Sequence, residues 1–341
     1  MGTPVSLEIR NRIAEIAGKL PRDDIHLIML TASGLETEGT EEGVTHYLPL
    51  EPAGYPISPD DLDFGSGTPT AMQIKNASRF SQLMNQIPSP GQKAWIASGE
   101  VVWNIWGIVL DSMQLPEGGS TRTLQQLKAN FEMDKRSDLQ GDIYYQTNYS
   151  PDGFWKGLFD SHWKSLSYTP EVTSSHEVMT ASTATGDVRD LQFDATGMCF
   201  NAEVILVTLL RPWWSPWLFS STAWRFAPAS IAPPLSDGLH PPRGVMTMYP
   251  NAFLVGRNVH LGLDMSRPKN AALSTHIEQA HALRWSAFQL KGANRITSTV
   301  YGGAELKLTD DGLHSNGLQI LGFSCNVLPK CPNPDPGQQW P

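Results

Sequence analysis

The apolar residues of this chain change period once, near residue 170. Before that point they recur at the three-and-four spacing of amphipathic helices; after it they alternate or run together in β-branched stretches. Residues 6–20 carry Ile9, Ile13, Ile16, Ala17 and Leu20 on one helical face, with Ser6 as cap and Pro21 as stop. Thr68-Pro69 opens a second helix whose stripe is Phe80, Leu83, Met84 and Ile87, closed by Pro88. Ser98 precedes a third, with Val102, Trp106, Val109 and Met113 together, and Ser120 opens a fourth with Leu124, Leu127 and Phe131. Residues 152–168 read as one more, grouping Phe154, Leu158 and Phe159. The acidic, Pro- and Gly-containing segment 31–68 reads as loop, with a short strand at 45–50.

The second half reads as strands. Residues 188–194 set Val188, Asp190 and Gln192 against Arg189, Leu191 and Phe193. Segments 203–210, 252–263, 284–290, 297–308 and 318–328 are also strand-like, and Thr309-Asp310-Asp311-Gly312 is a turn between two of them. Strands that follow helices in a block, rather than alternating with them, give an α+β class. The expectation is an N-terminal helical layer packed on a C-terminal, mainly antiparallel sheet. Residues 1–170 form the mainly helical region and 171–341 the mainly β region, which ends in a Pro-rich tail. No repeat or flexible linker divides them, so one integrated globular unit is expected.

Composition narrows the function. The 341 residues carry a formal net charge of −9, the wrong sign for gripping phosphates, so no nucleic-acid partner is expected. No apolar run approaches the roughly 20 residues of a membrane span, and the N-terminus lacks a signal peptide's apolar core. The reading is therefore soluble, intracellular and cytoplasmic. Met1-Gly2-Thr3-Pro4-Val5-Ser6 fits the myristoylation template, although Ser6 serves equally as a helix cap. Cys199, Cys325 and Cys331 are too few for a disulfide scaffold.

The familiar chemical motifs fail on spacing. His276 and His281 are five apart, where two ligands on one helix face stand four apart. A calcium loop begun at Asp61 would place Met72 where a glutamate is required. Gly65-Ser66-Gly67 follows no strand, and no phosphate loop or nucleophile elbow occurs. Ser161-x-x-Lys164 lacks its companion motifs. None of the nine histidines has ligand spacing with a cysteine, so no metal and no other cofactor is expected.

The distinctive stretch is Arg211-Pro-Trp-Trp-Ser-Pro-Trp-Leu-Phe-Ser-Ser-Thr-Ala-Trp-Arg225. Its prolines forbid a regular helix or central strand. Three readings are open: the tryptophans plug the end of the core, line a pocket for flat ligands, or form a docking patch. As a pocket, Trp213, Trp214, Trp217 and Trp224 would stack on the ligand, with Arg211 and Arg225 at the ends. A loop at 235–244 would add Asp237, His240 and Arg243 as candidate catalytic groups. The function expected on these grounds is binding of an apolar or aromatic small molecule. Its catalytic form is a cofactor-independent cyclase or isomerase. The alternative is a membrane- or protein-docking role for the N-terminal helix and the exposed Trp/Pro segment.

Overall fold

The computed structural model describes residues 8–9, 12–13, 15–16, 27–29, 45–49, 55–56, 68–89, 97–154, 160–169, 176–182, 188–228, 230, 233–239, 242–279, 282–285, 288–289, 306–315 and 317–341. Its centre is a ten-stranded sheet. In chain order the strands are β1 (Leu27–Met29), β2 (Thr45–Pro49), β3 (Tyr55–Pro56), β4 (Asn148–Ser150), β5 (Lys164–Tyr168), β6 (Cys199–Leu210), β7 (Met248–Gly262), β8 (Leu306–Thr309), β9 (Gly312–Ser315) and β10 (Gln319–Val327). The main path runs β1-β2-β10-β7-β6-β5; β3 also pairs with β10, β4 with β6, β9 with β7 and β8 with β9. Only β1–β2 is parallel among these pairs. With its helices described below, the chain is α+β, as its sequence implies. The first 170 residues contribute β1 to β5 as well as helices.

Strand β7 is the spine. One edge pairs with β6, and the other with β10 and then β9. Ala252 to Gly256 are buried without a break, because both faces of the sheet are covered at this point. On one face, Phe253 and Val255 pack with Ile205, Val207 and Phe323 under Phe80 and Met84 of helix α1 (Ala71–Asn85). On the other, Leu254, Val204 and Phe200 meet a second, four-stranded antiparallel sheet through Met179, Leu191, Phe193 and Trp285. The N-terminal helix joins that layer, with Ile9 and Ile13 buried.

Helix α1 begins two residues later than expected. Thr70, not Thr68, is the cap, because the Gln73 side chain reaches back to the Thr70 amide and completes a capping box. Helix α2 (Val102–Ser112) follows a short strand at Ala97–Val101 that takes up Ser98. Helix α3 (Thr121–Met133) is capped by Ser120 as expected. The helix expected over 152–168 is not formed as such: its described part holds a 3₁₀ turn, Asp160–His162, and then β5. Leu166 alternates with exposed neighbours there, so a period of two decides the structure. Helix α4 (Pro268–Gln279) covers the second sheet near Val188–Asp194, and His276 on it is exposed; His281 lies outside the described residues. Strand Val188–Asp194 has the expected bounds. Of the segment expected at 297–308, residues 297–305 lie outside the described residues, as does Gly2 with its myristoylation template.

A bulge reverses the parity of β7 near its end. Between the pairs Asn201–His260 and Glu203–Arg257 the register slips, and Asn258 takes up the extra residue at φ 51°, a conformation that asparagine tolerates well. Before the bulge the odd residues Phe253 and Val255 face helix α1; after it, Val259 and Leu261 join the opposite core. His260 and Gly262 are thereby turned to the helix α1 face.

Two predictions follow from this packing. Ile13→Asp removes about 1.5–3 kcal/mol of apolar burial and should lower the melting temperature by several degrees, at about 2–4 °C per kcal/mol. An unchanged calorimetric trace would mean that the N-terminal helix does not contribute to the fold. The second concerns Asp194, whose carboxyl is held at about 2 by hydrogen bonds from Thr196 and then by Arg267, 2.9 Å away. Its folded value lies below its unfolded one, so its stabilisation is full at neutral pH and is lost as pH falls from about 4 towards 2. In urea unfolding, the gap between the wild type and Asp194→Asn should close over that window.

Candidate functional site

The Trp segment leaves the end of β6 and turns back under helices α2 and α3. Trp213 and Trp224 are fully buried and Trp214 nearly so. The Trp213 indole donates to the Gln146 carbonyl at 2.8 Å, and Trp224 to Leu218 at 2.7 Å; Trp106 of helix α2 donates to the Trp213 carbonyl at 3.2 Å. Trp214 meets Tyr249 edge-on at 4.7 Å and Phe219 at 5.4 Å. These rings bury apolar area, and the Trp106, Trp213 and Trp224 N–H groups are satisfied. Trp217 stands apart, 56% exposed on a 3₁₀ turn, Pro216–Ser220.

Arg211 is buried beneath Trp214, its guanidinium 5.3 Å from the ring centroid. It donates to Asn85 Oδ1 at 2.5 Å and to the Met84 carbonyl at 2.9 Å. Asn85 in turn donates to Thr147 and to the Ser81 carbonyl, and Ser81 to the Tyr145 carbonyl. Among the described residues no carboxylate pairs with Arg211, and burial pulls it down to about 10. Arg225 is engaged elsewhere, with Gln114 at 2.7 Å, the Pro341 carbonyl at 3.0 Å and the Trp340 ring.

Asp237 turns inward on its own loop. Its carboxylate accepts the Arg243 and Leu239 amides at 2.9 and 3.0 Å, and these bonds hold its pKa down. The loop meets the Trp cluster through Leu235 and Met246. The Arg243 side chain is exposed, and His240 lies outside the described residues. Of the residues singled out from the sequence, Arg211, Trp213, Trp214 and Trp224 share one buried cluster or border it. Trp217, Arg225, Asp237 and Arg243 each stand in other surroundings.

A different group of chemical side chains converges on the face exposed by the β7 bulge. His260 of β7 and His314 of β9 are direct cross-strand partners. Their rings stack 4.1 Å apart at 12°. Asp311, in the turn between β8 and β9, lies beside both: 3.1 Å from His314 Nε2 and 3.6 Å from His260 Nε2. One donor atom from each of the three falls within 4.8 Å of the others. The Thr309 hydroxyl donates to Asp311 at 2.5 Å, and with the His314 ring it holds the carboxyl at about 2. His260 Nε2 is shielded from solvent and makes no hydrogen bond. The 3.6 Å to Asp311 is too long for one.

Spacing along the chain does not register this cluster. His260 and His314 come from different strands, and only the pairing of β7 with β9 joins them. The available signal was the Thr309–Gly312 turn, which places Asp311 next to a strand carrying His314.

No protein-family model, curated protein or solved structure matches this chain.

The buried cation yields a stability test. Asn85→Leu strips Arg211 of its side-chain acceptor, and breaking the partner of a buried charge costs about 3–5 kcal/mol. Arg211→Met leaves only neutral groups unmet, at about 1–3 kcal/mol. Urea unfolding should therefore rank Asn85→Leu as the more damaging, and Trp217→Phe, on the surface, should leave the curve in place. The reverse order would mean that the guanidinium is not what Asn85 serves.

Proposed function

We propose that the protein binds a small molecule through a divalent transition-metal ion held by His260, His314 and Asp311. The observation that carries this reading is the unpartnered, shielded Nε2 of His260, set beside a second imidazole and an ionised carboxylate. A buried nitrogen without a partner costs free energy, and a cation among these three donors would meet it. Two imidazoles and one carboxylate suit zinc, iron, cobalt or nickel better than calcium or magnesium, which prefer all-oxygen shells. Three protein donors leave coordination positions open for water or an exchangeable ligand.

The chemistry available to such an ion is that of a Lewis acid: it would polarise a bound carbonyl or phosphoryl oxygen and acidify a bound water. The chain's own groups set the frame. The sheet ladder fixes the backbones of the two histidines, one ring turning out of the 12° stack would bring both nitrogens onto one ion, and the Thr309 hydroxyl orients the Asp311 carboxylate. The small-molecule class expected from the sequence is kept. Its site moves from the tryptophans, of which Trp213 and Trp224 spend their indole N–H groups on internal carbonyls, to the face beside the β8–β9 turn. Among the described residues no helix is long and apolar enough to cross a membrane.

Metal-free protein titrated with Zn²⁺ in a calorimeter should bind one equivalent. His260→Ala and His314→Ala should each weaken binding by about a hundredfold or more, beyond the 10–100-fold typical of outer-shell losses. At a hundred times its Kd the ion should add about 2.7 kcal/mol of stability. Absence of saturable binding, or binding indifferent to both substitutions, would overturn the proposal.

A further inference from the structure

We infer that the open position of this centre takes the carboxylate of a small-molecule ligand, with the Asn201 side-chain amide as its second anchor; the inference rests on the triad proposed above. The sheet register supplies the first argument. Asn201 of β6 is the direct cross-strand partner of His260, and Ser167 of β5 is the partner of Asn201 on its other side. His260 is in turn the partner of His314 on β9. Direct partners in antiparallel strands share a face, with Cβ atoms about 4.5–5.5 Å apart. Ser167, Asn201, His260 and His314 therefore form one row across four strands. The row is open to solvent: Ser167 is exposed and the other three are half-buried.

The second argument is how Asn201 is held. The Ser167 hydroxyl donates to its Oδ1 at 2.8 Å. The two amide heteroatoms diverge from Cγ, so an oxygen drawn toward β5 leaves the NH2 group on the β7 side, which is the side of His260. Among the described residues this Nδ2 has no partner. The nearest acid along the strand does not claim it. Glu203, two residues on and on the same face, accepts from Arg257 at 2.7 Å and from Asn258 at 2.8 Å.

Charge selects the ligand. Imidazoles ligate as neutral groups and Asp311 brings one negative charge, so a divalent ion held by the triad keeps one net positive charge at its open side. A monoanion cancels that charge, whereas a neutral ligand leaves it and a dianion overshoots it. The unpartnered amide one row position away asks for an acceptor oxygen. A carboxylate meets both demands, with one oxygen on the ion and the other accepting from Asn201 Nδ2. It displaces bound water, and no covalent bond of the ligand changes.

Titration of the cobalt(II)-loaded full chain with acetate tests this and separates it from the triad. Acetate should change the visible d–d bands saturably. Asn201→Ala should keep cobalt affinity within about threefold of the wild type and weaken acetate about tenfold, or about 1.4 kcal/mol. Ser167→Ala, which releases the amide oxygen, should weaken acetate by about two- to fivefold. Imidazole, a neutral ligand for the same open position without an oxygen, should bind wild type and Asn201→Ala alike, and sulfate, a dianion, should bind more weakly than acetate. Acetate binding that is absent or indifferent to Asn201→Ala, an equal loss of imidazole and acetate in that variant, or sulfate binding tighter than acetate would overturn the inference and leave the triad standing. If no cobalt binds at all, both fall together.

Discussion

The fold depends on strand β7 being enclosed. Both its edges are paired, with one register slip against β10 between Leu254 and Val255, and both its faces are covered over Ala252–Gly256, so the side chains there are apolar or absent. Helix α1 on one face and the second sheet on the other exist as layers because this strand gives each something to bury against. The enclosure ends where the bulge at Asn258 begins. There the strand keeps one buried face and gives up the other, and polar side chains appear: Arg257 paired with Glu203 at 2.7 Å, then His260. The same strand thus serves as core for most of its length and as a chemical surface at its end.

The buried polar network at Arg211 is the counterpart of that enclosure at the other end of β6. A guanidinium with amide and carbonyl partners but no described counter-ion is costly, and its neighbours Asn85, Thr147 and Ser81 are themselves buried. These groups tie helix α1 to the chain around Tyr145 and to the start of the Trp segment. They fix how the aromatic rings of helices α2 and α3 meet the sheet end. The segment that looks most like a ligand platform in the sequence is held as a structural corner.

What was legible in the sequence was local. Val188–Asp194 declared itself by strict alternation, and Ser120 by its position before a helical stripe. The capping box Thr70-x-x-Gln73 was also written in the chain, but Thr68-Pro69 two residues earlier offered a competing start, and only the reach of the Gln73 side chain decides between them. Residues 152–168 misled because aromatic residues three to five apart fit a helix or an irregular turn equally well, and Leu166 alone marks the strand that follows. Beyond the turn that sets Asp311 near His314, the His260–His314–Asp311 group could not be read. It depends on which strands pair, in which register, and on one extra residue that exchanges the two faces of β7. None of these is a property of any short stretch of chain.

The cross-strand placement of the two histidines has a mechanical side. Among the described residues the β8–β9 hairpin is attached to the sheet along four residue pairs, Val259–Ser315 to Gly262–Gly312, with β8 outside it paired to β9 alone. A short edge ribbon of this kind is the sort of unit that opens separately from the body of a protein. Whatever bridges His260 to His314 also rivets that ribbon to the spine. Occupancy of the site would then be written into the opening rate of the hairpin amides, a slow local motion beside Trp285, which shares a core with Leu313.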